Sequence, residues 1–178
     1  MAASPDAADA LTPDLIHGSA FIAPSADVLG DVRLGEQSSV WYQCVLRADM
    51  APITVGRRSN LQDLTMVHVD EGVPCTIGDE VGVGHRAILH GCTIEDGCLI
   101  GMGSILLNHV HVGTGSVVAA GAVVTEGMKI PPGSLVMGVP AKVMRQVDAA
   151  LTARIRSTVE HYVQLAKLHR EGKFPRRS

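Results

Sequence analysis

The stretch TIEDGCLIGMGSILLNHVHVGTGSVVAAGAVVTEG, residues 93–127, decides the fold. Ile94, Ile100, Leu106, Val112, Val118 and Val124 recur in it at an interval of six, and small residues such as Gly101, Gly113 and Ala119 follow several of them. That interval fits neither the helical repeat of about 3.6 nor simple alternation along one strand. It fits short strands joined by tight turns, each hexad forming one flat side of a prism. Three hexads close a coil, coils stack through backbone hydrogen bonds about 4.8 Å apart, and glycine permits corners with φ > 0. The spacing also runs upstream through Ile22, Val28, Leu34, Val40 and Leu46, then Val55, Leu61 and Val67, then Ile77, Val83 and Leu89. The phase slips between 46 and 55, between 67 and 77, and by one residue at Gly91-Cys92-Thr93. A β-sandwich of short strands is the competing architecture, and so regular a grid disfavours it.

Composition agrees with a narrow interior. Hydrophobic residues make up 46% of the 178, yet aromatics only 3%, so Val, Ile, Leu and Ala must fill the core. A net charge of −3 without a basic block argues against nucleic acid as a partner, and no apolar run reaches membrane-spanning length. The N-terminal residues 1–14 carry neither a basic n-region nor an apolar h-region and read as a flexible leader, which makes the cytoplasm the expected location. Cys44, Cys75, Cys92 and Cys98 show no CxxC spacing and read as free, buried thiols. Within the β-helix segment, residues 15–142, the last stretch, PPGSLVMGVPAK at 131–142, follows the coils and reads as a turn-rich exit. In the remaining segment, 143–178, Asp148 is the expected N-cap of an amphipathic helix with Leu151, Ile155, Val159, Tyr162 and Ala166 on one stripe, stopped at Gly172.

The grid places the histidines. With Val67 on a first side, Ile77 begins the second, Val83 the third, and Leu89 returns to the first. His68 and His90 each follow the core aliphatic on that first side in neighbouring coils, and Arg47, which follows Leu46, belongs to the same column. His85 lies two residues after Val83 on the third side, level with Asp63, which follows Leu61 by the same two. One chain therefore presents two imidazoles together and the third round a corner, an arrangement that a three-fold homotrimer would complete at each interface. Three neutral imidazoles with an open position are a catalytic zinc pattern, and imidazole also suits iron and cobalt. His109 and His111 fall later in their hexad, towards a corner, and with His17, His161 and His169 read as solvated side chains.

The run RADMAPITVGRRSNLQDLTMVHVDEG, followed by TIGDEVGVGHRAILHGCTIEDGCLIGMGSILL, closely resembles γ-class carbonic anhydrases over roughly residues 15–165. The resemblance implies an all-β, left-handed parallel β-helix with a C-terminal helix packed on it; the hand comes only from the resemblance, since ordinary parallel crossovers are right-handed. It implies a homotrimer whose metal, Zn2+ with Fe2+ or Co2+ as alternatives, is held by His68 and His90 of one subunit and His85 of the next. The implied reaction is reversible hydration of CO2 to bicarbonate by metal-bound hydroxide. Arg47 and Asp49 match the family's Arg-x-Asp, and Asn60, Gln62 and Asp63 its Asn-x-Gln-Asp. Gln62 is then the residue placed to hydrogen-bond hydroxide or substrate, Arg47 and Asp63 are the pair expected across the trimer interface, and Tyr162 matches the tyrosine of the C-terminal helix.

Two features depart from the best-studied form of the class. Met50 stands where a glutamate follows Arg-x-Asp, and the loop after the first histidine is short, offering only Asp70 and Glu71 for proton export. Low activity is therefore expected. The ending MGVPAKVMR also resembles hexapeptide acyltransferases, so an acyltransferase or thioesterase acting on acyl-CoA, and a catalytically silent metal-binding trimer, are the competing functions.

Overall fold

The computed structural model describes residues 15–175; the leader expected over residues 1–14 lies outside them. Short parallel strands stack into three ladders, one per prism side. On the first side Val28, Leu46, Val67, Leu89, Leu106 and Val124 pair in consecutive coils. The second side stacks Leu34, Val55, Ile77, Ile94, Val112 and Ile130. The third stacks Ile22, Val40, Leu61, Val83, Ile100, Val118 and Val136. The first two sides merge into one sheet because strands Asp27–Leu34 and Val45–Val55 run continuously round the corner between them. The phase slip between 46 and 55 lies in the second of these strands. The expected hexapeptide β-helix is the fold.

Alternation within each hexad builds the core. Interior aliphatics such as Leu46, Leu61, Val67, Leu89, Ile100 and Leu106 are fully buried, each stabilising by about 1.5–3 kcal/mol. The residue two places earlier also points inward, at the corner; Val32, Ile53, Val81 and Val110 fill it in some hexads, and smaller residues fill it in most others. Ser38, Ser59, Thr65, Ala87, Ser104 and Ala122 take this position, as do all four cysteines, which are free and buried. The polar ones satisfy corner carbonyls: Ser104 donates to the Gly101 carbonyl at 2.8 Å and Thr65 to that of Gln62 at 2.6 Å.

The third residue after the core aliphatic turns most corners with φ > 0. Glycine does this at Gly97, Gly103, Gly115, Gly121, Gly127 and Gly133, but Gln37, Gln43, Arg58, Leu64, Glu80, Arg86 and His109 do it too. The expectation that glycine makes the corners therefore holds for only about half of them. Stacking against coils on either side holds the others in a conformation costing about 1–2 kcal/mol each.

The exit is more ordered than a run of turns. Ser134–Gly138 and Ala141–Gln146 pair as an antiparallel hairpin extending the third side. The helix Ala149–Arg170 follows, capped by the Asp148 side chain, which accepts from the Leu151 N–H at 2.9 Å. It lies on the third side with Ile155, Val159 and Ala166 buried. The few aromatics gather beneath it, outside the prism. Trp41 meets Phe21 at a centroid distance of 5.1 Å and Tyr162 at 5.2 Å. His169, expected to be solvated, is instead half-buried in this cluster, 5.0 Å from the Trp41 ring and with Nδ1 3.0 Å from the Tyr42 hydroxyl. A helix can carry a histidine to a distant aromatic face, which hexad counting does not register.

Candidate metal and active site

The first side carries the paired imidazoles. Arg47, His68 and His90 stack in consecutive coils, and the same register aligns Val45, Met66 and Ile88 beside them. His68 Nδ1 lies 3.1 Å from His90 Nε2, with ring centroids 5.1 Å apart. The far nitrogen of each ring has a partner: His68 Nε2 is 3.1 Å from Asp49 Oδ1, and His90 Nδ1 is 2.7 Å from Asn108 Oδ1. Arg47 pairs with Asp49, completing a line from guanidinium to carboxylate to imidazole. Partial burial works to raise the Asp49 pKa, but the hydrogen bonds from His68 and Arg47 outweigh it and hold the carboxyl below its ordinary value.

His85 stands on the third side, as its spacing predicts. Its Nδ1 is 3.0 Å from Asp63 Oδ2, and its Nε2 lies 3.4 Å from the Tyr162 hydroxyl brought over by the helix. Burial, then the charge of Asp63, pushes the Tyr162 phenol up to about 12, so it stays a neutral hydroxyl. A carboxylate only accepts, so Asp49 and Asp63 each draw an imidazole N–H and leave the ring's other nitrogen with its lone pair outward. That is the protonation state a metal ligand needs, and the donor set fits a divalent ion that accepts nitrogen ligands. Among the described residues, no three His, Cys, Asp or Glu side chains of one chain gather into a metal-binding group.

The other expected residues separate. Arg47 and Asp63 do not meet within one chain, since Arg47 takes Asp49 and Asp63 takes His85. Gln62 is nearly buried, only 4% exposed, and its Nε2 donates to Asn60 Oδ1 at 3.1 Å. It lines a groove of about 440 Å3 between the third side and the helix, together with Gly84, Leu99, Met102, Leu135 and Arg154. Met50 is 53% exposed, so its apolar side chain stands in solvent. Asp70 is taken up by Asn108, whose Nδ2 donates to it at 2.7 Å. His111, read as solvated and near a corner, lies within strand His111–Val112 and bonds Glu95 at 2.7 Å. Hydrogen bonds from Thr114 and His111 lower the Glu95 pKa to about 2.

Hexad reasoning missed Asn108. It follows Leu106 by two on the first side, one coil beyond His90, so its position was available on the grid. That its amide reaches back to an imidazole was not.

Comparisons with known proteins place the chain in a family. The family model for the bacterial transferase hexapeptide, six repeats, matches residues 91–126. "Gamma carbonic anhydrase 2, mitochondrial" of Arabidopsis thaliana is 44% identical over 161 residues, covering 87% of this chain and 58% of that protein. The "Carbonic anhydrase" of Geobacillus kaustophilus is 39% identical over 155 residues, covering 87% of this chain and 85% of that one. The chain belongs to the γ-class carbonic anhydrase family of hexapeptide-repeat proteins. It spans 58% of the length of the Arabidopsis relative, which is the longer protein. Among solved structures, a hexapeptide transferase family protein from Anaplasma phagocytophilum is 38% identical with a TM-score of 0.82, covering 85% of this chain and 90% of that one. No helix among the described residues is long and apolar enough to cross a membrane.

Proposed function

We propose that the protein is a metal-dependent carbonic anhydrase, with zinc as its ion, that hydrates CO2 reversibly to bicarbonate at sites between the subunits of a homotrimer. One observation carries the reading. His68 and His90 stack with facing nitrogens 3.1 Å apart on one prism side, while His85, equally oriented by a carboxylate, stands on another. The set is incomplete within one chain and complete when the first side of one subunit meets the third side of the next.

What the ion supplies is a water pKa lowered to about 7. The chain's own residues do the rest. Asp49 and Asp63 hold His68 and His85 in the ligating tautomer, and Tyr162 packs over the open edge of His85 as a neutral hydroxyl. We assign Gln62, anchored by Asn60, to hydrogen-bonding the substrate. In this reading Arg47 keeps Asp49 ionised and faces Asp63 of the adjoining subunit. Proton export is the weak point. Met50 has no ionisable group, and Asp70 is committed to Asn108, which leaves Glu71 at the loop.

Metal analysis of the purified protein, followed by stopped-flow CO2 hydration with and without added Zn2+ or Co2+, tests the proposal. About one metal per subunit, hydration that depends on it, and rates that rise with imidazole buffer are expected, because a small buffer replaces the missing shuttle. Metal-loaded protein without CO2 hydration at any buffer concentration would refute the catalytic reading.

A second reading is an acyl-CoA transferase or thioesterase. It is favoured by the groove against the helix, whose apolar walls carry Arg145 and Arg154 at an edge, and by the hexapeptide transferase name of the Anaplasma neighbour. Turnover of acyl-CoA without any response to metal would select it.

A further inference from the structure

We propose that Asn108, oriented by Asp70 and admitted by Gly91, is a positioning residue that fixes the tautomer of His90 and thereby sets the affinity of the site for its metal. The inference rests on the metal-binding reading above.

His68 and His85 each meet a carboxylate directly, so their tautomers need no further explanation. His90 does not: its Nδ1 meets the amide of Asn108 at 2.7 Å. An amide is ambiguous, because one end donates and the other accepts. Turned with Nδ2 towards His90, it would occupy the Nδ1 lone pair and force the imidazole proton onto Nε2. That nitrogen faces His68 Nδ1 at 3.1 Å, so the ligand position would be closed by a hydrogen.

Asp70 removes the ambiguity. Its Oδ2 can only accept, and it takes the Asn108 Nδ2 at 2.7 Å. The amide oxygen must then face His90, the proton must sit on Nδ1, and Nε2 keeps its lone pair. Asp70 acts through the amide, since its nearest approach to His90 Nε2 is 3.9 Å, too long for a hydrogen bond. A turn closed by the Val73 N–H donating to the Asp70 carbonyl at 3.0 Å holds the carboxylate in place.

The arrangement needs a glycine between His90 and the next coil. A Cβ on Gly91, at φ 51°, would stand 2.3 Å from Asn108 Oδ1 and 2.7 Å from Val73 Cγ1. Any side chain there displaces the amide, the loop, or both. Gly91 thus marks the clamp in the sequence, at the point where the hexad phase slips.

The test compares wild type with Asn108→Ala and with the exchanged pair Asp70→Asn/Asn108→Asp, using two readouts. Zn2+ affinity is measured by competition with a chromogenic chelator. The His90 tautomer is read from histidine 15N shifts in metal-free protein at a pH above imidazole titration, with His90→Ala giving the assignment. Wild type should show the Nδ1–H tautomer. Asn108→Ala should lose that preference and bind Zn2+ about 10–100-fold more weakly. The exchanged pair should recover both, because the carboxylate moved to position 108 still accepts from His90 and from the amide moved to position 70. Unchanged affinity and an unchanged His90 spectrum in Asn108→Ala would overturn the proposal, as would an exchanged pair that folds yet stays as weak as Asn108→Ala. If wild type binds no Zn2+, the metal-binding reading fails by itself, and the metal-free spectra still decide whether the clamp exists.

Discussion

If each site is built from the first side of one subunit and the third side of the next, two inactive variants should repair each other. His85→Ala keeps the stacked pair His68 and His90 but loses the lone imidazole; His90→Ala keeps His85 but breaks the pair. The stacked pair and His85 leave different prism sides of one chain, so neither variant can assemble a site from copies of itself. In a random trimer of the two, a site forms only where a His85→Ala chain supplies the pair and a His90→Ala chain supplies the third ligand. If x is the fraction of one variant, the occupied fraction is x(1 − x), about a quarter of the wild-type sites at equal mixing and about three-sixteenths at three to one. Both variants are unfolded, mixed across a series of ratios, refolded, and assayed for bound metal per chain and for CO2 hydration. A parabola with its maximum at equal amounts is expected, with nothing recovered at either end. A mixture that forms trimers yet binds no more metal than the separate variants would show that His85 serves another purpose and that the site is not shared.

Two further predictions concern the scaffold. Gln43 turns a corner at φ 58° with its side chain exposed, so Gln43→Gly should remove about 1–2 kcal/mol of left-handed strain, offset by about 0.5–1 kcal/mol of added chain entropy, and raise the unfolding midpoint slightly; a lowered midpoint would show that the corner is not strained. Glu95 has its folded pKa lowered from 4.5 to about 2 by Thr114 and His111, so its contribution is complete above its unfolded value and is lost as pH falls towards 2. Acid-unfolding curves of Glu95→Gln should therefore converge with wild type at the acid end and separate above it, and curves separated by a constant amount at every pH would contradict this.

The sequence by itself determined the prism. Side chains in a stacked coil are placed by counting, because each hexad is one side and backbone hydrogen bonds lock coil onto coil. The aliphatic ladders follow from that rule, as do the Arg47, His68 and His90 column and the separation of His85 with Asp63. Counting states which backbone positions are neighbours, and it stops at the Cβ.

Only the tertiary structure decided what lies beyond. Nothing local marks Leu64 or Arg86 as corner residues with φ > 0, since the coils above and below impose that conformation against their own preference. The helix docks where Trp41 and Phe21 leave the prism, and this, not the helix's own periodicity, brings Tyr162 to His85 and His169 to Tyr42. Asn108 and Asp70 are 38 positions apart and meet only because a tight loop folds its carboxylate over the next coil. Hydrogen bonds between side chains depend on rotamers and on loop paths, and a loop path is fixed by contacts distant in sequence. The repeat therefore writes the ladder plainly, and the partners that orient its imidazoles emerge only once the coils, loop and helix are packed together.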